Sequence, residues 1–171
     1  LRDKLGYVPQ KGVLFSGTID SNIRYGKPEI TDAQVKEAAE VAQATEFIDT
    51  KPEKYESPVS QGGTNVSGGQ KQRLSIARAI AKDPEIFIFD DSFSALDFKT
   101  DSQLRKALKE YTKDATTVIV AQRISTILGA DQIIVLDDGH MAGIGTHKEL
   151  MANCEVYQQI ARSQLSEEEL A

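Results

Sequence analysis

Three short apolar runs in the second half of the chain limit the possible folds most strongly. The segments "EIFIFD" (85–90), "TTVIVA" (116–121) and "QIIVLDDG" (132–139) are rich in apolar and β-branched residues, and stretches with helical spacing separate them. Continuously apolar strands are buried on both faces, and helices between them are typical of parallel connections. We therefore expect an α/β fold with a mainly parallel sheet covered by helices.

The first 82 residues differ in sequence pattern from the rest of the chain and are predicted to be largely helical. "KLGYV" reads as a short strand that ends at Pro9, which has no N–H to donate to a strand neighbour. Thr31 and Gln34 form a capping-box pattern at the start of an apolar helical repeat. We predict helices near 19–23, over about 32–44 and over 67–82, with a loop at 53–65.

Composition excludes several classes of protein. The net charge of −6 over 171 residues argues against a nucleic-acid partner, because duplex binding requires clustered Lys and Arg. The apolar runs are far shorter than the roughly 20 residues that span a bilayer. Cys154 is the single cysteine and His140 and His147 are the only histidines, so neither an internal disulfide nor a Cys/His metal cluster is expected. A reducing, cytosolic setting fits this composition best.

The strand "EIFIFDD" ends in two carboxylates, Asp90 and Asp91. Open α/β sheets bind ligands at the carboxyl ends of their strands. In nucleotide triphosphatases an aspartate at this place holds Mg²⁺ and the next acidic side chain orients the attacking water. Aspartate is also a common turn residue, so a plain strand-to-turn junction is the alternative.

The segment "SGGQ" (67–70) is predicted to open a helix. Ser67 and Gln70 have capping-box spacing, and Gly68 and Gly69 keep the helix start free of Cβ atoms. Unpaired N–H groups and the positive end of the helix dipole favour an anion there. Taken alone, these four residues also suit an ordinary helix cap.

Together these segments, in this order and spacing, resemble the ATP-binding cassette (ABC) family. "SGGQ" is similar to the family's signature motif, the strand ending at Asp90 to its Walker B segment, and "SALD" (94–97) to its D-loop. "YVPQ" (7–10) is similar to the Q-loop and "VIVAQRIST" (118–126) to the switch region.

The resemblance implies ATP and Mg²⁺ as ligands and assigns a role to each matching residue. Asp90 and Gln10 would hold Mg²⁺, while Asp91, Gln122 and Gln10 would serve catalysis. The residues expected to contact ATP are Ser67, Gly68, Gly69, Gln70 and Asp97.

The resemblance also implies an architecture. We expect a P-loop NTPase (RecA-like) parallel-sheet core, incomplete here, with an inserted α-helical signature subdomain. Residues 1–12 would form the Q-loop strand of the core, 13–82 the helical subdomain, and 83–171 the rest of the core with its C-terminal helices.

Partners and location follow from the same likeness. A second ABC nucleotide-binding domain is expected, paired head to tail in a homo- or heterodimer. "LFSGTIDSNIRYG" (14–26) and "GHMAGIGTHKELM" (139–151) are similar to exporters that fuse a membrane domain to the ATPase. Coupling helices of a transmembrane domain are therefore expected against residues 13–26, at the cytoplasmic face of a membrane, most simply a bacterial one.

Three departures from the family pattern bear on activity. The Gly-x-x-x-x-Gly-Lys-Ser/Thr P-loop does not occur, so the chain reads as a piece of a longer protein and is expected to be inactive by itself. Asp91 replaces the glutamate of competent members, which withdraws the carboxylate by roughly 1 to 1.5 Å, and misplacement on that scale can cost about a hundredfold in rate. Gln122 replaces a histidine and cannot carry a proton.

The expected head-to-tail pairing assigns the departing residues and the intact motif residues to different ATP sites. Asp91 and Gln122 would fall in one composite ATP site, whereas residues 67–70 and Asp97 would serve the opposite one. Our hypothesis is one half of a heterodimeric exporter whose own site hydrolyses ATP poorly. The alternatives are independent drift with Asp91 as a slow base, a non-catalytic module that only donates its signature to partner-held ATP, and a soluble non-transport ABC ATPase. The acidic balance and the absence of heptads count against the last of these.

Overall fold

The computed structural model describes residues 2–166. The chain divides into two compact units, a first unit up to Val120 and a second from Ala121 onward. Each unit is described by itself. The sequence-based division at 12/13 and 82/83 stays a prediction.

The first unit alternates strands and helices. Its elements are β1 (Leu5–Val8), β2 (Gly17–Thr18), α1 (Ile19–Ile23), α2 (Asp32–Val41), α3 (Thr45–Asp49), β3 (Pro58–Val59), α4 (Gly68–Ala81), β4 (Ile86–Asp90), α5 (Phe98–Tyr111) and β5 (Thr116–Val120). Single 3₁₀ turns lie at Arg2–Lys4, Lys54–Glu56 and Gln61–Gly63.

A parallel sheet in the order β1-β4-β5 forms the centre of the first unit. This confirms the predicted α/β class and parallel sheet, but the apolar run 132–139 lies in an antiparallel hairpin and not in this sheet. Tyr7, Ile88 and Val118 are register partners across the three strands and so share one face, while Val8 and Phe89 lie on the other. Val8 and Phe89 are fully buried, whereas Tyr7 and Val118 are about half exposed.

Helix α4 packs against β1, α1 and α2. Its N-cap is Ser67, and Asp83 turns the chain out of it with a φ of 51° immediately before Pro84. Its buried apolar residues include Leu74, Ala77, Ile80 and Ala81. Two polar residues of the same helix, Gln72 and Ser75, are buried as well.

The predicted helix over 32–44 is shorter than expected. Helix α2 ends at Val41, and Gln43 adopts the left-handed backbone with a φ of 56°. The Arg73 Nη1 donates to the Gln43 carbonyl at 2.7 Å and holds this turn against α4. The following helix α3 was not predicted, because glutamine at a left-handed position is not a recognisable stop signal in a sequence.

A half-buried arginine, Arg78, fixes the chain around α1. Arg78 donates from Nε to the Asn22 carbonyl at 2.7 Å, from Nη2 to Asn22 Oδ1 at 2.9 Å and from Nη1 to the Val13 carbonyl at 2.8 Å. Its guanidinium also lies over the rings of Phe15 and Tyr25, which stack with centroids 4.2 Å apart. Burial lowers the pKa of Arg78 below its ordinary value. Residues 13–25 are therefore tied to α4 by one side chain.

The second unit contains a 3₁₀ turn at Ile124–Thr126, the antiparallel hairpin β6 (Ile133–Asp137) and β7 (His140–Gly145), and the helices α6 (His147–Asn153) and α7 (Glu155–Gln164). Asp138 and Gly139 both have positive φ, as a two-residue hairpin turn requires. Its core is built from residues of the 3₁₀ turn, β6 and the two helices and from residues next to the helices: Ile124, Ile133, Val135, Leu150, Cys154, Tyr157, Ala161 and Leu165.

Within residues 2–166, the structure has no helix with the length and apolar character needed to cross a membrane.

Replacement of Arg78 by alanine should destabilise the protein by about 1–3 kcal/mol, because it leaves the partly buried Asn22 carbonyl without its donor. Arg78→Lys keeps one donor group, so its loss of stability should lie between those of wild type and Arg78→Ala. Urea unfolding measures the change, and the exposed basic residue Lys109 provides the control variant Lys109→Ala. Equal losses in Arg78→Ala and Lys109→Ala would contradict the role given to Arg78.

Candidate functional site

The carboxyl ends of β1 and β4 meet at the same edge of the parallel sheet. Val8 and Phe89 are register partners there, so the segment after β1 and the aspartates at the end of β4 are neighbours. The buried hydroxyl of Ser92 donates to the Val8 carbonyl at 2.8 Å and fixes the two segments to each other. Gln10 lies far in sequence from Asp90 and Asp91, and the pairing of β1 with β4 brings these three predicted site residues together at one sheet edge.

Asp90 lies on the sheet face that carries Tyr7, because side chains alternate along a strand and Ile88 is the partner of Tyr7. The Tyr7 hydroxyl donates to Asp90 Oδ2 at 3.1 Å. This hydrogen bond is the main reason why the pKa of Tyr7 lies above its ordinary value. Sequence reasoning missed Tyr7, although its place one residue before the end of β1 puts it on the face of Asp90.

Asp91 begins the turn out of β4. Its φ is 45°, in the left-handed region, and its backbone N–H donates to the Val120 carbonyl at 2.9 Å. Gln10 Nε2 donates to Asp91 Oδ2 at 3.1 Å. The amide of the predicted Q-loop residue and the carboxylate of the predicted catalytic residue are therefore in direct contact.

The sheet edge suits one mode of magnesium binding. Among residues 2–166 there is no group of three or more His, Cys, Asp or Glu side chains that could hold a metal unaided. Magnesium, however, commonly takes one or two carboxylates, several waters and substrate phosphates. The Asp90 carboxylate and the Gln10 amide oxygen fit that partial donor set.

The start of α4 has the geometry predicted for an anion site. Ser67 Oγ accepts from the Gln70 N–H at 3.2 Å, and Gln70 Oε1 accepts from the Ser67 N–H at 3.1 Å. The N–H groups of Gly68 and Gly69 precede the first intrahelical donor of the helix. A Cβ at Gly68 would meet nothing within 4 Å, whereas one at Gly69 would lie 3.4 Å from the Ala95 carbonyl oxygen. The helix start is thus open above Gly68 and closed against the following loop at Gly69.

Asp97 serves as the N-cap of α5. Its Oδ1 accepts from the Thr100 N–H at 3.0 Å and its Oδ2 accepts from the Thr100 hydroxyl at 2.7 Å. These bonds hold the pKa of the exposed Asp97 carboxyl below its ordinary value. The loop before it is pinned by Ser94, whose hydroxyl donates to the Asp91 carbonyl at 3.0 Å. Asp97 therefore has a structural task beside the predicted ATP contact.

Gln122 belongs to the second unit, and its side chain is exposed. Its carbonyl accepts from Gln164 Nε2 at 2.8 Å, and Gln164 Oε1 accepts from the Ile124 N–H at 2.8 Å. One α7 side chain therefore fixes the backbone on both sides of Arg123. The catalytic role of Gln122 stays a prediction.

Comparison with known proteins gives one consistent family. Residues 1–94 match the family model for ABC transporters. An ABC transporter ATP-binding protein from Mycobacterium tuberculosis (strain ATCC 25618 / H37Rv) is 47% identical over 163 residues, covering 94% of this chain and 28% of the relative. A Staphylococcus aureus (strain NCTC 8325 / PS 47) protein whose name describes multidrug export and an ATP-binding/permease protein is 46% identical over 160 residues, with the same coverage of 94% and 28%.

A solved structure agrees with these relatives. The structure of a bacterial Atm1-family ABC exporter with ATP bound superposes with a TM-score of 0.92 and 39% identity, covering 97% of this chain and 29% of that one. This likeness confirms the predicted P-loop NTPase fold. The chain spans between a quarter and a third of the length of the relatives it matches.

The Asp97 cap predicts a specific pH dependence. Because its folded pKa lies below the ordinary value, its stabilisation is complete above about pH 4 and is lost as the pH falls through the folded pKa. The asparagine side chain of the variant Asp97→Asn would still cap the helix but would not titrate. We expect thermal unfolding midpoints of this variant to fall less steeply below about pH 4. The exposed Asp114 provides the control Asp114→Asn, and equal slopes in wild type and Asp97→Asn would contradict the interpretation.

Proposed function

The chain belongs to the ABC transporter family, and from that premise we propose that it is part of the ATP-hydrolysing domain of a membrane exporter. The observation that carries this proposal is the 3.1 Å hydrogen bond between Gln10 Nε2 and Asp91 Oδ2 at the carboxyl edge of the sheet. It joins a neutral side chain suited to Mg²⁺ and phosphate to a carboxylate suited to an attacking water. The names of the relatives, which include multidrug export and ATP-binding/permease, support export as the direction of transport.

In this proposal Asp90 and the Gln10 amide oxygen take part in holding Mg²⁺. The ion, when bound, offsets the negative charge of the nucleotide phosphates. Tyr7 donates to one oxygen of Asp90 and leaves the other oxygen available. Asp91 orients the attacking water and accepts its proton, and Gln10 keeps the Asp91 carboxylate directed towards the sheet edge.

The start of α4 serves a different nucleotide, one held by a second ABC nucleotide-binding domain. The open space above Gly68 allows a phosphate to approach the N–H groups of the first turn. Ser67 and Gln70 satisfy each other, so the turn is formed before any anion arrives. Closure of two such domains, head to tail around ATP, is the step that we propose to drive transport.

The membrane partner is assigned to residues 13–26. Val13 and Tyr25 are 51% and 55% exposed, although both belong to a segment that Arg78 holds in place. Exposed apolar side chains on a fixed segment are typical of a contact surface. We propose that coupling helices of a transmembrane domain pack there, at the cytoplasmic side of the membrane.

The domain's own ATP site is proposed to be slow. Asp91 has a shorter reach than the glutamate found in competent members, and Gln122 lacks the titrating ring of the usual histidine. The partner in a heterodimer would then carry Glu and His, and the α4 start of this chain would complete the partner's competent site.

Asp91→Glu alone should therefore leave hydrolysis at this site well below that of a competent site, since Gln122 still cannot carry a proton. Asp91→Glu combined with Gln122→His should raise the rate by roughly tenfold or more, since a misplacement of about 1 Å can cost a hundredfold. ATP turnover by the complete transporter, with the partner site disabled, measures both. Full recovery in the single variant would overturn the assignment to Gln122.

Ser67→Arg should abolish turnover by the assembled transporter, because it fills the space before the α4 start with a long cationic side chain. Thr31→Arg is the matched control, because Thr31 caps α2 with the same capping box in the same unit. The control should lose stability but retain turnover. Unchanged turnover in Ser67→Arg would show that this helix start does not serve ATP.

A further inference from the structure

A second glutamine, Gln72, holds the loop that carries Gln10. Gln72 lies on α4 and is 1% exposed. Its Nε2 donates to the Pro9 carbonyl at 3.0 Å, and its Oε1 accepts from the Gly12 N–H at 2.9 Å. One carboxamide thus bonds the backbone on both sides of Gln10.

The loop lies directly on the helix backbone at this point. A Cβ at Gly12 would come within 2.8 Å of the Lys71 carbonyl oxygen and 2.8 Å of Ser75 Oγ. Such a distance to a backbone atom leaves no space for a side chain at residue 12. Residues 9–12 are therefore seated on α4 with little freedom to shift.

The chemistry of the two bonds explains why a glutamine occupies this buried position. A carboxamide offers a donor and an acceptor, which match a carbonyl and an N–H respectively. Leucine or methionine would fill a similar volume but would leave the Pro9 carbonyl and the Gly12 N–H unpaired in a partly buried place. Packing alone does not require a polar group here, whereas control of the loop backbone does.

We propose that Gln72 is a positioning residue for the ATPase site. It keeps Gln10 against Asp91 by holding the backbone of residues 9–12 to α4. The same helix begins at the open glycine turn after Ser67, so a movement of α4 carries Gln10 with it. A nucleotide that contacts the α4 start is thereby coupled to the Mg²⁺ site at Gln10, which serves the other nucleotide. This inference rests on the proposed function.

The variants Gln72→Leu and Gln72→Glu test it, with Ser75→Ala as the control. Gln72→Leu removes both bonds, and Gln72→Glu keeps the acceptor for the Gly12 N–H but places an oxygen against the Pro9 carbonyl. Ser75 is buried on the same helix and faces the same loop, yet its hydroxyl has no hydrogen-bond partner among the described residues. Ser75→Ala therefore changes the packing without removing a bond.

The first measurement is amide hydrogen exchange over residues 9–12 in the complete transporter without nucleotide. Gln72→Leu should speed exchange of the Gly12 amide by roughly five- to tenfold, the scale of one lost hydrogen bond. Ser75→Ala should leave this amide close to wild type. Unchanged exchange in Gln72→Leu would show that Gln72 does not hold the backbone of residues 9–12, whatever the function of the protein is.

The second measurement is ATP turnover as a function of Mg²⁺ concentration. Gln72→Leu should lower kcat by about tenfold or more and weaken Mg²⁺ activation, as is expected of Gln10→Ala, and Gln72→Glu should impair both as well, because it also loses the bond to the Pro9 carbonyl. The double variant with Gln10→Ala should be no slower than Gln10→Ala alone.

The outcomes separate the two proposals. If Gln10→Ala leaves turnover and Mg²⁺ dependence unchanged, the proposed function of the sheet edge is wrong. If Gln10→Ala impairs both but Gln72→Leu behaves like Ser75→Ala, the positioning role of Gln72 is wrong. If Gln72→Leu does not fold, wild-type kcat and Mg²⁺ dependence in Gln72→Glu would overturn the positioning role.

Discussion

The parallel pairing of β1 with β4 is the constraint on which the candidate site depends. Their register sets Val8 opposite Phe89 and so brings the chain after β1 beside the two aspartates after β4. A slip of one residue would turn Asp90 to the face of Phe89 and would move Asp91 away from Gln10. Burial of Phe87 and Phe89 on one face and the hydrogen bond from Ser92 to the Val8 carbonyl hold this register.

Helix α4 connects three parts of the proposed functional site in one rigid element. Its first turn is open above Gly68, its buried side holds the Gln10 loop through Gln72, and its last turns hold residues 13–25 through Arg78. A helix transmits displacement along its length because its backbone bonds resist bending. The proposed nucleotide contact, the proposed Mg²⁺ site and the proposed membrane-facing segment are therefore attached to the same helix. None of them can shift far without the others.

Much of this arrangement could be predicted from the sequence. The capping boxes at Thr31 and Ser67 located two helix starts, and the apolar run before Asp90 located the central strand. The site residues on the sheet edge followed from motif order. Gln72 and Tyr7 could not be recognised in this way, because their importance lies in contacts with residues 60 or more positions away. The end of α2 was missed because a left-handed glutamine has no sequence signature.

The left-handed backbone at Asp91 offers a second explanation for aspartate in place of glutamate at this position. Among residues other than glycine, aspartate and asparagine tolerate a positive φ most readily, through local bonds made by their short polar side chains. With a φ of 45°, the chain at the end of β4 is more relaxed with aspartate than it would be with glutamate. In the proposed ATP site, the shorter side chain would reduce catalytic reach while it lowers the backbone strain at residue 91. Position 91 would then be an example of the trade-off between the stability of a fold and its activity.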